Sequence, residues 1–208
     1  TGALRTQALI PFLRKYIPGE PIIVTQFMPG GGGRKATNYV SRNAKPDGLT
    51  IGNMGSGLVA NAVLGSTGVE YDIDKLIYLG AANSTAQYVF NSMAKLGLDS
   101  IDKLRARAGL RVGAQTVGHD IYINGRLFSW LLGLKEPKFV TGYSGPELDL
   151  AMVGGELDIM FDAMASSAPL IKAGKIKVLA VASSKRSALM PDVPTVAEQG
   201  YPGFEAAL

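Results

Sequence analysis

The sequence has no cysteine, which excludes disulfides, thiolate metal sites and a cysteine nucleophile. It has one histidine, His119. A histidine-rich zinc site is therefore excluded, and a Ser-His-Asp arrangement could be built only around that residue. Apolar runs stop at about seven residues, against the ~20 needed to cross a bilayer, so no membrane insertion is expected. There is no basic tract. Arg34 and Lys35, then Lys172, Lys175 and Lys177, then Lys185 and Arg186 are small groups in a chain of 21 basic and 17 acidic residues with net charge +4. Nucleic acid is not an expected partner of such a surface. The opening TGALRTQALI lacks the basic start and apolar middle of an export signal. A mature, trimmed chain reads the same way, so export stays open.

What is present is a foldable, glycine-rich chain. At 208 residues, 47% hydrophobic and 18% charged, it can bury a core as one large domain or two small ones. Its 26 glycines are about twice ordinary usage. They fall mostly where a β-rich run gives way to a helical pattern. Residues 4–13 carry a one-sided apolar spacing and stop at Pro18 and Gly19, which predicts a helix. Strands are predicted at 21–27, 49–53 and 75–81, and helices at 34–44 and 57–64. A second block then predicts strands at 86–91, 110–114, 138–141, 157–161 and 176–182. Its helices are predicted at 100–107, 119–132, 146–153 and 165–173. This alternation implies a largely parallel sheet covered on both faces, with ligands received beyond the carboxyl ends of the strands. Two lobes are expected: 1–81 with 188–208, and 86–182, with crossovers near 82–85 and 183–187.

The glycine turns are the candidate chemistry. MPGGGGR joins a predicted strand to a helix and fits neither a Walker loop, since Lys35 stands where glycine is required, nor GxGxxG. It reads either as a tight structural loop or as a backbone cradle for an anion. GAQTVGHD also runs from strand to helix. Its helix start could hold a carboxylate, while Asp120 could equally cap that helix. His119 has no GxSxG-type nucleophile to serve: Gly55-Ser56-Gly57 lacks both spacers. It reads as a ligand contact or a surface residue rather than a base. In GYSGP, Tyr143 could line a cleft and Ser144 could donate to an anion, or the segment could be a plain turn. Asp158 and Asp162 flank LDIMF, as an acid–base pair or as capping and cleft-lining residues.

Several stretches, in this order, resemble the substrate-binding receptors of tripartite tricarboxylate transporters, the TctC or Bug receptors. They are PIIVTQFMPGGGGRKATNYV, AKPDGLTIGN, GAQTVGHD and VTGYSGPELDLAMVGGELDIMFDAM, followed by LIKAGKIKVLAVASSKRSALMPDVPTVAEQGYPGFE. The final stretch is the most specific, and the resemblance runs over residues 8–205. It implies an α/β, two-lobe periplasmic-binding-protein fold of the type II kind, and an extracytoplasmic receptor, periplasmic and exported from a precursor with a signal peptide. Such a receptor is not an enzyme, uses no cofactor or metal, and delivers a small carboxylate to membrane transporter subunits. A ligand-sensing protein of the same fold is the alternative. Carried over by position, the family pattern points to Gly55 and Ser56 in the first lobe, and to Asn83 and Ser84 at the crossover. In the second lobe it points to Thr116, Gly118, His119, Tyr143, Ser144 and Asp162. The family's first strand and C-terminal return are not found in the sequence, so the first lobe is expected to be incomplete, with a dimer through that lobe as a further expectation.

Overall fold

The computed structural model describes residues 2–81 and 87–203, with side chains from residue 6. The chain divides into two compact units, Thr1–Ala82 and Asn83–Leu208.

The first unit is built on three helices: α1 (Gly2–Tyr16), α2 (Arg34–Arg42) and α3 (Gly57–Val63). The MPGGGGR loop enters α2 through four consecutive glycines with positive φ, a path closed to residues with a Cβ except at a cost. Arg34 then donates to Asn61 on α3 at 3.0 Å, and the Tyr71 hydroxyl donates to the Leu58 carbonyl at 2.7 Å. Asn38 donates to the Gly68 carbonyl and accepts from the Glu70 N–H, both at 3.0 Å. The glycine loop is thus the entry to a side-chain-braced helix pair.

The strands expected at 21–27, 49–53 and 75–81 do not form; none of these residues joins a ladder. Ile22, Val24, Leu49 and Ile77 are 86–87% exposed. The physical reason lies in what β propensity measures, which is the fit of a side chain to a pleated surface already packed on neighbours. Among the described residues no strand pairs with these runs, so the propensity has nothing to act on.

The second unit holds one sheet in the order β3-β2-β4-β1-β5. Its strands are β1 (Tyr88–Met93), β2 (Arg111–Gly113), β3 (Lys138–Val140), β4 (Ile159–Ala163) and β5 (Ile176–Val181). β2 is parallel to β3 and β4, while β1 is antiparallel to both β4 and β5. Four strands therefore share a direction and β1 opposes them. The carboxyl ends of β2, β3, β4 and β5 and the start of β1 lie along one edge. Helices α4 (Ile101–Ala106), α5 (Asp120–Leu131), α6 (Gly145–Gly154) and α7 (Met164–Lys172) connect them. The core is aromatic at its centre: Phe90 of β1 stacks on Phe128 of α5 at 3.7 Å, and Tyr88 stacks on Phe161 of β4 at 5.0 Å. Gly113 packs so closely that a Cβ there would collide with Leu157.

The run from Ser183 to Gly203 closes this unit. The Val181 N–H donates to the Pro194 carbonyl and the Val196 N–H to the Val181 carbonyl, each at 3.0 Å. Arg186 Nε donates to both Glu198 oxygens at 2.9–3.0 Å, and its Nη1 donates to the Pro191 carbonyl at 3.0 Å. Thr195 and Glu198 bond reciprocally, N–H to side chain each way. Fully buried Val196 belongs to the second unit's core. The sequence assigns 188–208 to the first lobe; its described part, 188–203, packs here along β5.

Candidate functional site

The edge where four strands end gathers the glycine turns of the second unit. The loop after β2 runs through Thr116, Val117 and buried Gly118 into α5; Gly118 has φ +88°. The loop after β3 lies beside it: the Ala114 N–H donates to the Val140 carbonyl at 3.0 Å, and the Gly142 N–H to the Gln115 carbonyl at 2.6 Å. Thr116, Gly118 and His119 are thus brought next to the segment that carries Tyr143 and Ser144. Asp162, near the end of the adjacent strand β4, is buried. Thr116 and Ser144 are exposed, and His119 and Tyr143 half-buried.

Two of the three helix starts at this edge, those of α5 and α6, already hold a carboxylate of the chain itself. Asp120 is buried at the start of α5. It accepts the Ile121 N–H at 2.9 Å and the Tyr88 hydroxyl at 2.6 Å, and contacts His119 Nδ1. Burial works against its charge, but the His119 contact and these hydrogen bonds outweigh it and hold the carboxyl below the usual aspartate range. His119 is the cap residue, its Nδ1 3.3 Å from the Ile121 N–H. At α6, Ser144 and Glu147 form a capping box, with the Ser144 N–H donating to Glu147 at 2.7 Å. The Ser144 backbone and side chain hold the Glu147 carboxyl below its usual range. Tyr143 turns its hydroxyl to Glu156 at 3.0 Å. A shallow cavity of about 510 Å³ beside it is lined by Glu147 and Glu156, so its charge favours hydroxyl or amide groups over an anion. The loops between strand and helix, rather than the first turns of α5 and α6, are left to supply donors to an incoming carboxylate.

Asp158 and Asp162 do not form an acid–base pair. They lie at opposite ends of β4. At the far end, Arg111 grips Asp158 through Nε at 3.1 Å and Nη2 at 2.6 Å, and the Arg111 N–H adds a 2.8 Å bond. Burial opposes the Asp158 charge, yet the guanidinium keeps the carboxyl below its usual range. This is a structural clamp between β2 and β4. Asp162 accepts from Ser167 of α7 at 3.2 Å, and Ser167 accepts from Asn91 of β1 at 3.0 Å. Tyr88, Asn91, Asp149 and Ser167 take part in this chemistry without standing out in the sequence. The one available signal is polar residues inside an apolar strand, as in YVFNSM.

In the first unit, Gly55 is exposed and Ser56 half-buried at the start of the seven-residue α3, with no side-chain cap bond. Asn83 and Ser84 lie outside the described residues. Among the described residues, no cluster of three or more histidine, cysteine or carboxylate groups could hold a metal, and no helix is long and apolar enough to cross a membrane.

The fold is similar to that of the periplasmic binding protein BugD, with a TM-score of 0.73 at 21% identity, covering 99% of this chain and 68% of BugD. MatC from Rhodopseudomonas palustris, solved with bound malate, superposes with a TM-score of 0.80 at 27% identity, covering 100% of this chain and 71% of MatC. Residues 131–208 match the model of the tripartite tricarboxylate transporter family receptor. A UPF0065 protein of Bordetella bronchiseptica is 28% identical over 196 residues, 89% of this chain and 55% of that protein. Protein BugT of Bordetella pertussis is 27% identical over 194 residues, 91% of this chain and 59% of that protein. The chain spans somewhat more than half the length of these curated relatives. Over residues 131–208 the chain is thus similar to the tripartite tricarboxylate transporter family receptors.

Proposed function

We propose that this chain is part of a periplasmic receptor that captures a small carboxylate and delivers it to the membrane subunits of a tripartite tricarboxylate-type transporter. The observation that carries the reading is the whole-chain likeness to malate-bound MatC, joined to a strand edge where two glycine turns are hydrogen-bonded side by side. A small dicarboxylate is the ligand class this favours. In this reading Thr116, Gly118 and His119 hold one end of the ligand in the second unit, with Tyr143, Ser144 and Asp162 around it. Gly55 and Ser56, with Asn83 and Ser84, supply contacts from the first unit and the crossover.

Binding rather than catalysis fits the chemistry. His119 caps a helix and its Nδ1 is engaged with Asp120 and Ile121, which is not the geometry of a base poised over a nucleophile. Buried Asp120 and clamped Asp158 are likewise committed to the fold. No resident cofactor is part of the reading. Isothermal titration of the purified chain with malate, succinate, citrate and acetate tests it. Saturable binding of at least one di- or tricarboxylate, recovered chemically unchanged, is expected. Absence of binding to all four, or conversion of any of them, refutes it.

A further inference from the structure

A second polar group lies on the opposite side of the sheet from the aromatic stack. In the β1–β4 register Phe90 faces Phe161, while Val89 pairs with Asp162. Strand alternation therefore sends Val89, Asn91 and Asp162 to the other face. There Val89 packs with Met164, Val178 and Val181, and α7 supplies Ser167. Asn91 and Ser167 are fully buried, and Asp162 nearly so.

An ionised Asp162 would be a buried charge whose charged neighbours are acidic. Asn91 Nδ2 donates to Ser167, and the Ser167 hydroxyl donates to Asp162 Oδ2. The Ala163 N–H also bonds the Asp162 carboxyl, while Asn91 Oδ1 and Asp149 Oδ1 are buried acceptors with no donor. Unpaired buried acceptors are costly, and so is a charge among apolar side chains. The charged groups acting on Asp162 are Asp149 from α6 and Asp120 from α5, both acidic, so neither offsets its charge. A proton on Asp162 removes that charge and adds an O–H donor to the buried group.

We propose that Asp162 is held as the neutral carboxylic acid in the folded protein and makes the stability of the second unit depend on pH near neutrality, at the strand edge that carries the candidate site. Burial first, and then its acidic neighbours, outweigh the opposing hydrogen bonds from the Ala163 N–H and Ser167 and push this carboxyl up to about 7, so the group is neutral in mildly acid solution. Because the folded state raises the value above the ordinary 3.8, the stabilisation is full below the unfolded value and is lost as pH rises through about 7.

The test is carboxyl-carbon NMR of the full 208-residue chain, aspartate-labelled, from pH 4 to 9, with unfolding by urea over the same range. One carboxyl should titrate near neutrality and vanish from the spectrum of Asp162→Asn. The wild-type unfolding constant should rise at least tenfold from pH 5 to 8.5. That of Asp162→Asn, whose amide keeps the shape and supplies a donor, should stay flat across that window. If Asp162→Asn does not fold, Ser167→Ala decides, because removing the donor to Asp162 should move the neutral midpoint upward. Titration of every aspartate below pH 5, a pH slope shared by wild type and Asp162→Asn, or a midpoint unmoved by Ser167→Ala would overturn the proposal. An alkali ion holding Asp162 ionised would show the first of these results.

Discussion

The Tyr88 hydroxyl donates to Asp120 at 2.6 Å, tying the first residue of β1 to the first residue of α5. The two are 32 residues apart, and both sit at the edge that carries the candidate site. The bond is charge-assisted and buried, the condition in which a hydrogen bond contributes most. Tyr88→Phe keeps the ring stack on Phe161 but leaves Asp120 with one donor fewer. It should destabilise the second unit by about 1.5–3 kcal/mol, read as a lower urea midpoint with an unchanged slope. A change under 0.5 kcal/mol would mean that solvent replaces the hydroxyl.

Asp120 and Asp162 should give this unit opposite responses to pH. The Asp120 carboxyl is held below its ordinary value by His119, Tyr88 and the Ile121 N–H against the cost of burial. Its contribution is present above the unfolded value and lost as pH falls below about 4. Asp158, held low by Arg111, adds in the same direction. Stability should therefore fall on acidification below about pH 4, and Asp158→Asn should shrink that fall while lowering stability at pH 6. Circular dichroism melts at pH 3 and 6 check this. An equal acid loss in wild type and Asp158→Asn would remove the clamp from the account.

How much of this was legible in the sequence depended on whether the deciding interaction was local. The helices of the second unit lie within about two residues of where spacing and caps put them, because Ser100, Ser144 and Gly155 mark their ends within the sequence itself. The strand at 21–27 misled, because Ile22 and Val24 state a preference that only a neighbouring strand could satisfy. Asp158 and Asp162 looked like a pair because they are four residues apart. Four residues along a strand is about 13 Å, which sends one to Arg111 and the other to Ser167. The glycine turns could be read as strand-end loops. That the turns at Gln115 and Gly142 are neighbours, and that Tyr88 reaches Asp120, follows from the sheet order β3-β2-β4-β1-β5, which no local pattern encodes.

Gly118 links the fold to the proposed binding. Its φ of +88° costs a residue with a Cβ about 1–2 kcal/mol. Gly118→Ala should lower stability by roughly that amount and leave a measurable site. Gly118→Val adds bulk at the loop where a carboxylate is proposed to dock and should weaken dicarboxylate binding at least tenfold, about 1.4 kcal/mol. His119→Ala should weaken it less, since backbone donors remain, while exposing the start of α5. Titration calorimetry alongside melting separates the two effects. Undiminished binding by a folded Gly118→Val protein would move the anion site elsewhere along the edge.

The Arg186 clamp gives the most local prediction. Its guanidinium meets both oxygens of Glu198 and the Pro191 carbonyl, and Glu198 also accepts the Thr195 N–H at 2.7 Å. First the guanidinium and then that N–H depress the Glu198 carboxyl to about 2, so the clamp should persist through ordinary acid conditions. Lysine cannot reproduce it, because an ammonium on a flexible stem lacks the planar fork that serves both oxygens and the carbonyl together. In Arg186→Lys the ends of the 186–199 segment lose their tie. The Val181 and Val196 amides, which make the two backbone bonds between that segment and β5, should then exchange with deuterium at least tenfold faster. Amides of β2 and β4, in the interior of the sheet, should keep their protection. If Val181 and Val196 stay protected in both Arg186→Lys and Arg186→Ala, the segment is held by burial of Val196 alone and the arginine is dispensable to it.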